Sequence, residues 1–346
     1  MKRVRVTLVA HGEAEGPGWL ENVRVSRRTL AHAGAVMRLP APLRMAICVA
    51  GATRKRLKGG PGSTHNENTR RQAAALEEAL AGDEGRRYRV DAVFASAPPY
   101  LEDELESPGD ADRQLALSMI PTDSRLSCGL ICRSLLEAAS STRERTTVIA
   151  RFWEAAELVG IHCAHVAAHF PSIEPDRACC LILVLHGTVI RDASGHEPAF
   201  HTGVDEKKSY SDALGTALTE MPDRPWQRVE IAYLNHGVGG EWSTPTLPAL
   251  LDSLAAEGVQ TAVAYACEHL VDGGETLGLP DVLAAGPVPE THCLPCVNDS
   301  AEFIEFLAAR VRAAASAPGT DRCCDPCPLR SGPGRGTVCR PETQRP

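Results

Sequence analysis

Two apolar runs in this sequence end in the same dipeptide, and this repeat is the strongest constraint on the fold. Residues 4–10 lead into His11-Gly12, and residues 181–185 lead into His186-Gly187. An aliphatic and β-branched run that stops at glycine is typical of a strand buried on both faces, as in a parallel sheet covered by helices. Because ligands of such sheets bind beyond the carboxyl ends of the strands, both His-Gly pairs are predicted to lie at ligand-binding edges.

The chain has 346 residues, which is enough for two hydrophobic cores. Strand-like runs alternate with helical segments along the sequence, and this alternation implies right-handed βαβ crossovers. We therefore predict an α/β fold of two similar, doubly wound, Rossmann-like domains, each with a parallel four-stranded sheet. The predicted divisions are residues 1–145 for the first domain, 146–300 for the second, 301–316 for a closing helix and 317–346 for a cysteine-rich tail.

Two local features of the sequence bear on these divisions. Thr64 and Glu67 have the spacing of a capping box, so a helix is predicted to start at Thr64. Residues 146–152 fit either a short strand or the start of a helix, and the pattern leaves both open. From residue 318 onward the apolar periodicity ends, which is why this stretch is assigned to a tail.

Composition and charge exclude several classes of protein. The 44 acidic and 36 basic residues give a net charge of -8, and the scattered basic residues argue against nucleic-acid binding. No apolar stretch reaches the roughly 18 to 20 residues that span a bilayer, and the first strand begins too early for a leader. We expect a cytoplasmic protein whose 13 cysteines serve packing, metal binding or catalysis rather than disulfides.

The second half places several chemically active side chains after predicted strands. His186 follows one strand directly, residues 234–242 form a glycine-rich segment with a tryptophan, and Glu275 lies shortly after another strand. An imidazole with a pKa near 6.5 opposite a carboxylate with a pKa near 4.3 is suited to proton transfer, and either group can bind a metal. The structural alternatives are a turn-capping histidine and a glutamate that stabilises a helix start. His11 is predicted to be structural, in the wall of the same cleft.

These pieces, in this order, resemble the ferrochelatase family, whose members insert ferrous iron into a porphyrin in haem synthesis. Residues 184–187 (Val-Leu-His-Gly) are similar to the family's Phe-His-Gly, and residues 238–242 to its Gly-Pro-x-x-Trp. Residues 271–277 are similar to its Ser-Asp-His-x-Glu-Thr-Leu. The loop and helix from Gly62-Ser63 and the loop at residues 121–129 agree more weakly. The resemblance covers most of the chain and suggests a divergent bacterial-type member.

The resemblance implies specific roles for individual residues. His186 matches the catalytic histidine, which accepts a pyrrole proton, and Glu275 matches the carboxylate that faces it; both would handle the Fe²⁺ substrate. The porphyrin must bend to expose its nitrogen lone pairs, at a cost of about 1 to 5 kcal/mol. Peripheral contact with a membrane or with another enzyme of the haem pathway is also implied. Residues matched to the porphyrin-binding wall are Ser63, Gly239, Gly240, Trp242 and Asp272.

The sequence departs from the family pattern in two places. Gly273 stands where the family has a histidine two residues before the glutamate. His269 either compensates or is a surface residue, and we predict the second. The first strand ends in His-Gly-Glu where the family usually has Gly-Gly-Pro. A divergent subfamily fits these differences, and so does a different choice of metal or porphyrin.

The cysteine-rich tail is similar to the extension that holds a [2Fe-2S] cluster in some ferrochelatases. Cys324, Cys327 and Cys339 would supply three of the thiolate ligands. The position aligned with the fourth ligand is Arg125, so Cys128 in the same loop is predicted to substitute, with Cys323 and Cys132 as alternatives. A zinc site or an unliganded tail would also fit these cysteines.

Two other functions remain open at this point. A sirohydrochlorin chelatase that loads iron or cobalt shares the two-lobed architecture, and the repeated His11 and His186 would suit its paired metal-binding histidines. A porphyrin or haem carrier would use the same cleft without catalysis, and the missing histidine at Gly273 is compatible with it. Under the ferrochelatase hypothesis, the porphyrin substrate is either protoporphyrin IX or coproporphyrin III.

Overall fold

The computed structural model describes residues 1–33, 40–59, 62–106, 109–174, 178–192, 194–198, 200–236 and 240–317. All the cysteines of the predicted tail lie outside these residues. In the part of the chain that the structure describes, no helix combines the length and the apolar character needed to cross a bilayer.

The first sheet has four parallel strands and extends past the predicted domain boundary. Its strands are β1 Lys2–Ala10, β2 Arg86–Phe94, β3 Arg113–Ser118 and β4 Thr146–Ile149. They lie in the order β2-β1-β3-β4. The segment that the sequence left open is therefore a strand. Since β4 pairs with β3, the first sheet includes residues that the sequence analysis assigned to the second domain.

The second sheet is also parallel and has the same kind of winding. Its half of the chain contains β5 Cys179–His186, β6 Val189–Asp192, β7 Arg228–Leu234, β8 Gly240–Trp242, β9 Thr261–Tyr265 and β10 Glu290–Leu294. The order of the sheet is β10-β9-β5-β7, while β6 and β8 form a separate antiparallel pair. The chain reverses its direction of winding between β5 and β9, and such a switch point is where doubly wound sheets bind ligands.

Helices cover the two sheets, as the alternating pattern predicts. Those of the first half are α1 Trp19–His32, α2 Ala41–Lys58, α3 His65–Leu80, α4 Leu101–Glu106, α5 Cys128–Glu137 and α6 Ser140–Arg145. They are followed by α7 Ala156–His169, α8 Val204–Glu220, α9 Leu247–Ala256, α10 Leu279–Ala284 and α11 Ala301–Ser316. The predicted capping box is wrong, because the Thr64 hydroxyl donates a hydrogen bond to the carbonyl of Asp272, 3.0 Å away, instead of capping α3.

The two halves share one hydrophobic core. A continuous cluster of buried side chains runs from Leu8 in the first sheet to Tyr265 in the second. The closing helix α11 packs against α3 of the first half, and its Phe306 ring meets Phe152 edge to face at 5.3 Å. Because the last helix packs on the first sheet, the halves are joined by side-chain packing as well as by the covalent connection between them.

The repeated His-Gly dipeptides have a common packing reason. A Cβ atom on Gly12 would lie 2.4 Å from the Cβ of Phe94, the last residue of the adjacent strand β2. A Cβ atom on Gly187 would lie 1.8 Å from the Asn235 side chain, directly after the adjacent strand β7. In each half the chain turns away from the sheet so closely to a neighbouring strand end that only glycine fits.

We expect truncation of a core side chain of α11 to destabilise both halves together. Phe303 is fully buried in the shared core, so Phe303→Ala should lower the free energy of unfolding by about 3 to 5 kcal/mol. Glu305→Ala, on the exposed face of the same helix, should change it by less than about 0.5 kcal/mol. Urea unfolding followed by circular dichroism would measure both. Loss of structure in one half alone would contradict the shared core.

Candidate active site

Residues that follow the strands of both sheets line a cleft of about 730 Å³. The first sheet contributes His11 after β1, and the second contributes His186 from the end of β5 and His236 after β7. Parallel strands bring their carboxyl ends to one edge, so these side chains converge although they are far apart in sequence. The cleft therefore lies where the sequence pattern predicts a ligand site.

Three side chains of the second half form a triangle of metal-binding atoms. The Nε2 atoms of His186 and His236 are 3.0 Å apart, and each is 3.6 Å from Oε1 of Glu275. Atoms that bind a tetrahedral cation at about 2.1 Å stand about 3.4 Å from one another, which is close to these separations. Two imidazoles and one carboxylate thus have the spacing of a three-ligand metal site.

The tautomer of His186 follows from its local hydrogen bond. Its Nδ1 lies 2.7 Å from the carbonyl oxygen of Gly187, which can only accept, so Nδ1 carries the hydrogen and Nε2 carries the lone pair. At 3.0 Å from Nε2 of His236, this lone pair must meet either a hydrogen or a cation. Burial lowers the pKa of His186, and the nearby Glu275 only partly offsets this, so the imidazole favours its neutral form.

His269 holds the other oxygen of the Glu275 carboxylate. Its Nε2 is 3.1 Å from Oε2, so the two oxygens of Glu275 are divided between His269 and the imidazole pair. Burial acts to lower the pKa of His269, but the hydrogen bond and charge of Glu275 outweigh it and the pKa is raised. Burial alone would raise the pKa of Glu275. The interactions with His186 and His269 outweigh burial and hold the pKa of Glu275 well below its usual range. The prediction that His269 is a surface residue is wrong.

A buried ion pair forms hydrogen bonds with both backbone groups of His186. Glu268 accepts a hydrogen bond from the His186 amide at 3.1 Å, and the Lys207 ammonium donates to the His186 carbonyl at 2.8 Å. The two side chains are 3.1 Å apart, and Thr122 of the first half donates to the free oxygen of Glu268 at 2.6 Å. Burial acts to raise the pKa of Glu268, but Lys207 and Thr122 hold it below its ordinary value.

Comparison with known proteins identifies the family. The family model described as Ferrochelatase matches residues 3–315, nearly the whole chain. The chain belongs to the ferrochelatase family. It is accordingly a metal chelatase, as the resemblance in the sequence implies.

Solved structures agree on the fold of this chelatase. SirB from Bacillus subtilis, solved with Fe³⁺, is 12% identical and aligns over 91% of this chain and 96% of its own, with a TM-score of 0.53. CbiX, the terminal enzyme of siroheme biosynthesis in denitrifying bacteria, is 14% identical over 90% of this chain and 99% of its own, with a TM-score of 0.49. At these identities the SirB comparison supports the two-sheet chelatase fold alone. Curated protein sequences give no match.

The predicted porphyrin wall of the chelatase is only partly in the cleft. Trp242 lines it, and its ring meets His236 edge to face at 5.7 Å. Gly240 is exposed outside the lining, with a φ of 143° and a Cβ position 2.0 Å from the carbonyl oxygen of Arg191, so packing of β8 on β6 accounts for this glycine. Gly239 lies outside the described residues.

Ser63 and Asp272 also lie outside the cleft lining, because both serve loop structure. The Ser63 hydroxyl accepts the amide of His65 at 3.1 Å at the start of α3. The Asp272 carboxylate turns into its own half, where it accepts the amide of Cys296 at 3.1 Å and the side chain of Asn298 at 2.7 Å. These hydrogen bonds support the local loop structure, and a porphyrin contact by either residue stays a prediction.

Two histidines of the first half complete the wall of the cleft. His11 lies there as predicted, with Nε2 3.2 Å from the Thr29 hydroxyl, and burial lowers its pKa to about 4. His65 explains the departure at Gly273, because a Cβ atom on Gly273 would lie 3.0 Å from the Cβ of His65. The first half thus occupies the space beside residue 273.

The cluster-binding prediction stays a prediction. Cys128 is the first residue of α5 and is 3% exposed, and its thiol lies 3.9 Å from the carbonyl oxygen of Ser124. Arg125, at the aligned position, is also buried and lies over the Phe200 ring at 5.6 Å. The predicted tail ligands Cys324, Cys327 and Cys339 lie outside the described residues.

Sequence reasoning missed several members of the site. His236 lies in the glycine-rich segment that the sequence analysis singled out, but it was not recognised as a metal ligand. Glu268 directly precedes His269 at a strand end, which is a weak local signal. Lys207 lies within α8 and carries no such signal, because its role depends on contact with a residue in another element.

We expect the buried ion pair to be essential for stability. Lys207→Met leaves Glu268 charged and unpaired at 4% side-chain exposure, so the free energy of unfolding should fall by about 3 to 5 kcal/mol. The double variant Lys207→Met with Glu268→Gln should recover a large part of this loss. Lys208→Met removes the neighbouring exposed lysine and should change stability by less than about 1 kcal/mol. Equal effects of the two lysine variants in urea unfolding would contradict the buried-pair argument.

Proposed function

We propose that this chelatase inserts ferrous iron into a porphyrin, either protoporphyrin IX or coproporphyrin III. The observation that carries the proposal is the triangle of His186, His236 and Glu275 at the edge of a largely apolar cleft. In the proposal, His186 and Glu275 are catalytic residues and His236 is a further ligand to the metal substrate. The family supplies the reaction class, and the lining of the cleft supplies the argument for the macrocycle.

The triangle suits a metal that must be captured and then released. Imidazole nitrogen binds ferrous iron well, and one carboxylate adds a compensating negative charge. Three protein ligands leave coordination positions open, whereas a closed four-ligand site holds its metal permanently. The His236 side chain is 50% exposed, so the cation has a route from solvent to the site.

The same residues provide acceptors for the protons that leave the macrocycle. Insertion replaces two pyrrole N–H hydrogens with the cation, so two protons must be accepted as the metal is transferred. Once iron moves to the macrocycle, the Nε2 atoms of His186 and His236 are free to take these protons. The Glu275 carboxylate, 3.6 Å from both atoms, stabilises the imidazolium that forms.

The lining of the cleft favours a macrocycle with few carboxylates. Its apolar side chains come from both halves and include Ile47, Leu130, Phe200 and Trp242. Among the described lining residues other than histidine, the basic side chains are Arg54 and Lys207, and Lys207 is paired with Glu268. Sirohydrochlorin bears a carboxylate on every acetate and propionate arm and would need more cations than this, since buried unpaired charges are costly.

Anaerobic assays with ferrous iron test the reaction. We expect insertion into protoporphyrin IX or coproporphyrin III, and His186→Ala should lower kcat by about 10²- to 10⁴-fold because a positioned proton acceptor is lost. His196→Ala removes an exposed histidine of the same half, with 81% side-chain exposure, and should leave the rate unchanged.

Three outcomes would overturn the proposal. A His186→Ala protein as fast as the unmutated one would remove its catalytic role. Faster turnover of sirohydrochlorin than of both porphyrins would favour the siroheme-type reaction. Tight porphyrin binding without insertion of iron would indicate a carrier.

Metal binding without porphyrin tests the triangle separately. Co²⁺ should bind the unmutated protein with visible bands of imidazole-ligated cobalt, and His236→Ala should weaken binding by more than about tenfold, since loss of an outer-shell partner alone costs that much. His292→Ala, on the edge strand β10 and outside the cleft lining, is the matched control. Unchanged Co²⁺ affinity in His236→Ala would exclude His236 as a ligand.

A further inference from the structure

Several hydrogen bonds from the first half reach the loop that carries Glu275. Thr64, directly before α3, and Asn68 and Gln72 within it are spaced four residues apart and form a polar stripe. The Thr64 hydroxyl and the Asn68 amide both donate to the carbonyl of Asp272 at 3.0 Å, and the Gln72 amide donates to the carbonyl of Leu270 at 2.9 Å. These bonds cross more than 190 residues of sequence, so the loop depends on the other half for its shape.

Of these first-half residues, Glu13 contacts the residue that directly precedes Glu275 in the sequence. Its Oε2 accepts the backbone amide of Gly274, the residue before Glu275, at 2.8 Å. Glu13 is itself fixed, because its amide donates to the Asn66 side chain at 2.9 Å and its carbonyl accepts from the same side chain at 2.8 Å.

The backbone before Glu275 lies in close contact with side chains of the first half. A Cβ atom on Gly274 would lie 2.8 Å from Oε2 of Glu13, and one on Gly273 would lie 3.4 Å from Oε1. Neither glycine has a positive φ among the described backbone conformations, so their conformation does not require glycine. Close packing against Glu13 and His65 accounts for the pair instead.

We propose that Glu13 is a positioning residue that fixes Glu275 in the geometry needed for metal capture. The inference rests on the proposed function, in which Glu275 is a metal ligand. Oε1 of Glu275 must stay 3.6 Å from two imidazoles at once, and the side chain is otherwise restrained by the single bond from His269. Anchoring the Gly274 amide further restricts the backbone that carries Glu275. The first half thereby controls a ligand set that belongs entirely to the second.

Substitutions at Glu13 test this role through Co²⁺ binding without porphyrin. Glu13→Ala should weaken Co²⁺ binding by about 10- to 100-fold, as loss of an outer-shell partner does. Glu13→Gln keeps an oxygen acceptor of the same shape and should recover most of the affinity. Glu67→Ala removes an exposed acidic residue of α3 and serves as the control. In turnover, Glu13→Ala should raise the KM for iron more than the KM for porphyrin.

Either of two results would overturn the inference. Unchanged Co²⁺ affinity in Glu13→Ala would show that the anchor is not needed. Equal losses in Glu13→Ala and Glu13→Gln would show that the charge of Glu13 acts instead of its hydrogen bond. If His186→Ala abolishes Co²⁺ binding while Glu13→Ala leaves it intact, the positioning role fails and the proposed metal site stands.

A double-mutant cycle tests the contact itself. Gly274→Ala adds a methyl group against the Glu13 carboxylate and should weaken Co²⁺ binding. In a Glu13→Ala background the three carboxylate atoms nearest to this methyl group are absent, so it should cost little more. Such non-additivity is expected of residues in contact. If the losses are fully additive, in variants whose circular dichroism matches the unmutated protein, the contact between Gly274 and Glu13 is not the cause of the weaker Co²⁺ binding.

Discussion

The carboxylate of Glu275 is the point on which the site depends, because its two oxygens serve different partners. One faces the His186 and His236 imidazoles, and the other is bound by His269. A carboxylate this strongly surrounded by imidazoles remains ionised, as its lowered pKa indicates. In the proposed reaction it would attract a cation without first losing a proton, and the hydrogen bond from His269 would hold the carboxylate in place.

The rest of the fold restricts movement around this carboxylate. Glu268 binds the amide of His186 and Lys207 binds its carbonyl, and this buried pair lies in the wall of the cleft. Thr122 ties the pair to the first half, and the shared core joins both sheets. A metal site assembled from the ends of separate strands needs this rigidity, because small displacements of a ligand lower affinity and rate.

The sequence predicted the parts of this arrangement that follow from local pattern. The apolar run at residues 181–185 identified a strand buried on both faces, and parallel winding then brought His186 and Glu275 to one edge. Contacts between distant residues were not predictable in this way. The Thr64 hydroxyl leaves its own helix for a carbonyl 208 residues away, so a local capping rule fails. The pairing of β4 with β3 likewise depends on tertiary packing and moves the edge of the first sheet.

The glycine pair before Glu275 shows how a departure from a family motif can be accommodated by the other half of a protein. His65 and Glu13 occupy the space beside Gly273 and Gly274, so a side chain at residue 273 would make tight contacts with the first half. His269 then approaches the carboxylate from farther upstream and supplies the imidazole that position 273 lacks. The first-half residues and the glycine pair therefore pack against each other directly before the carboxylate that His269 binds.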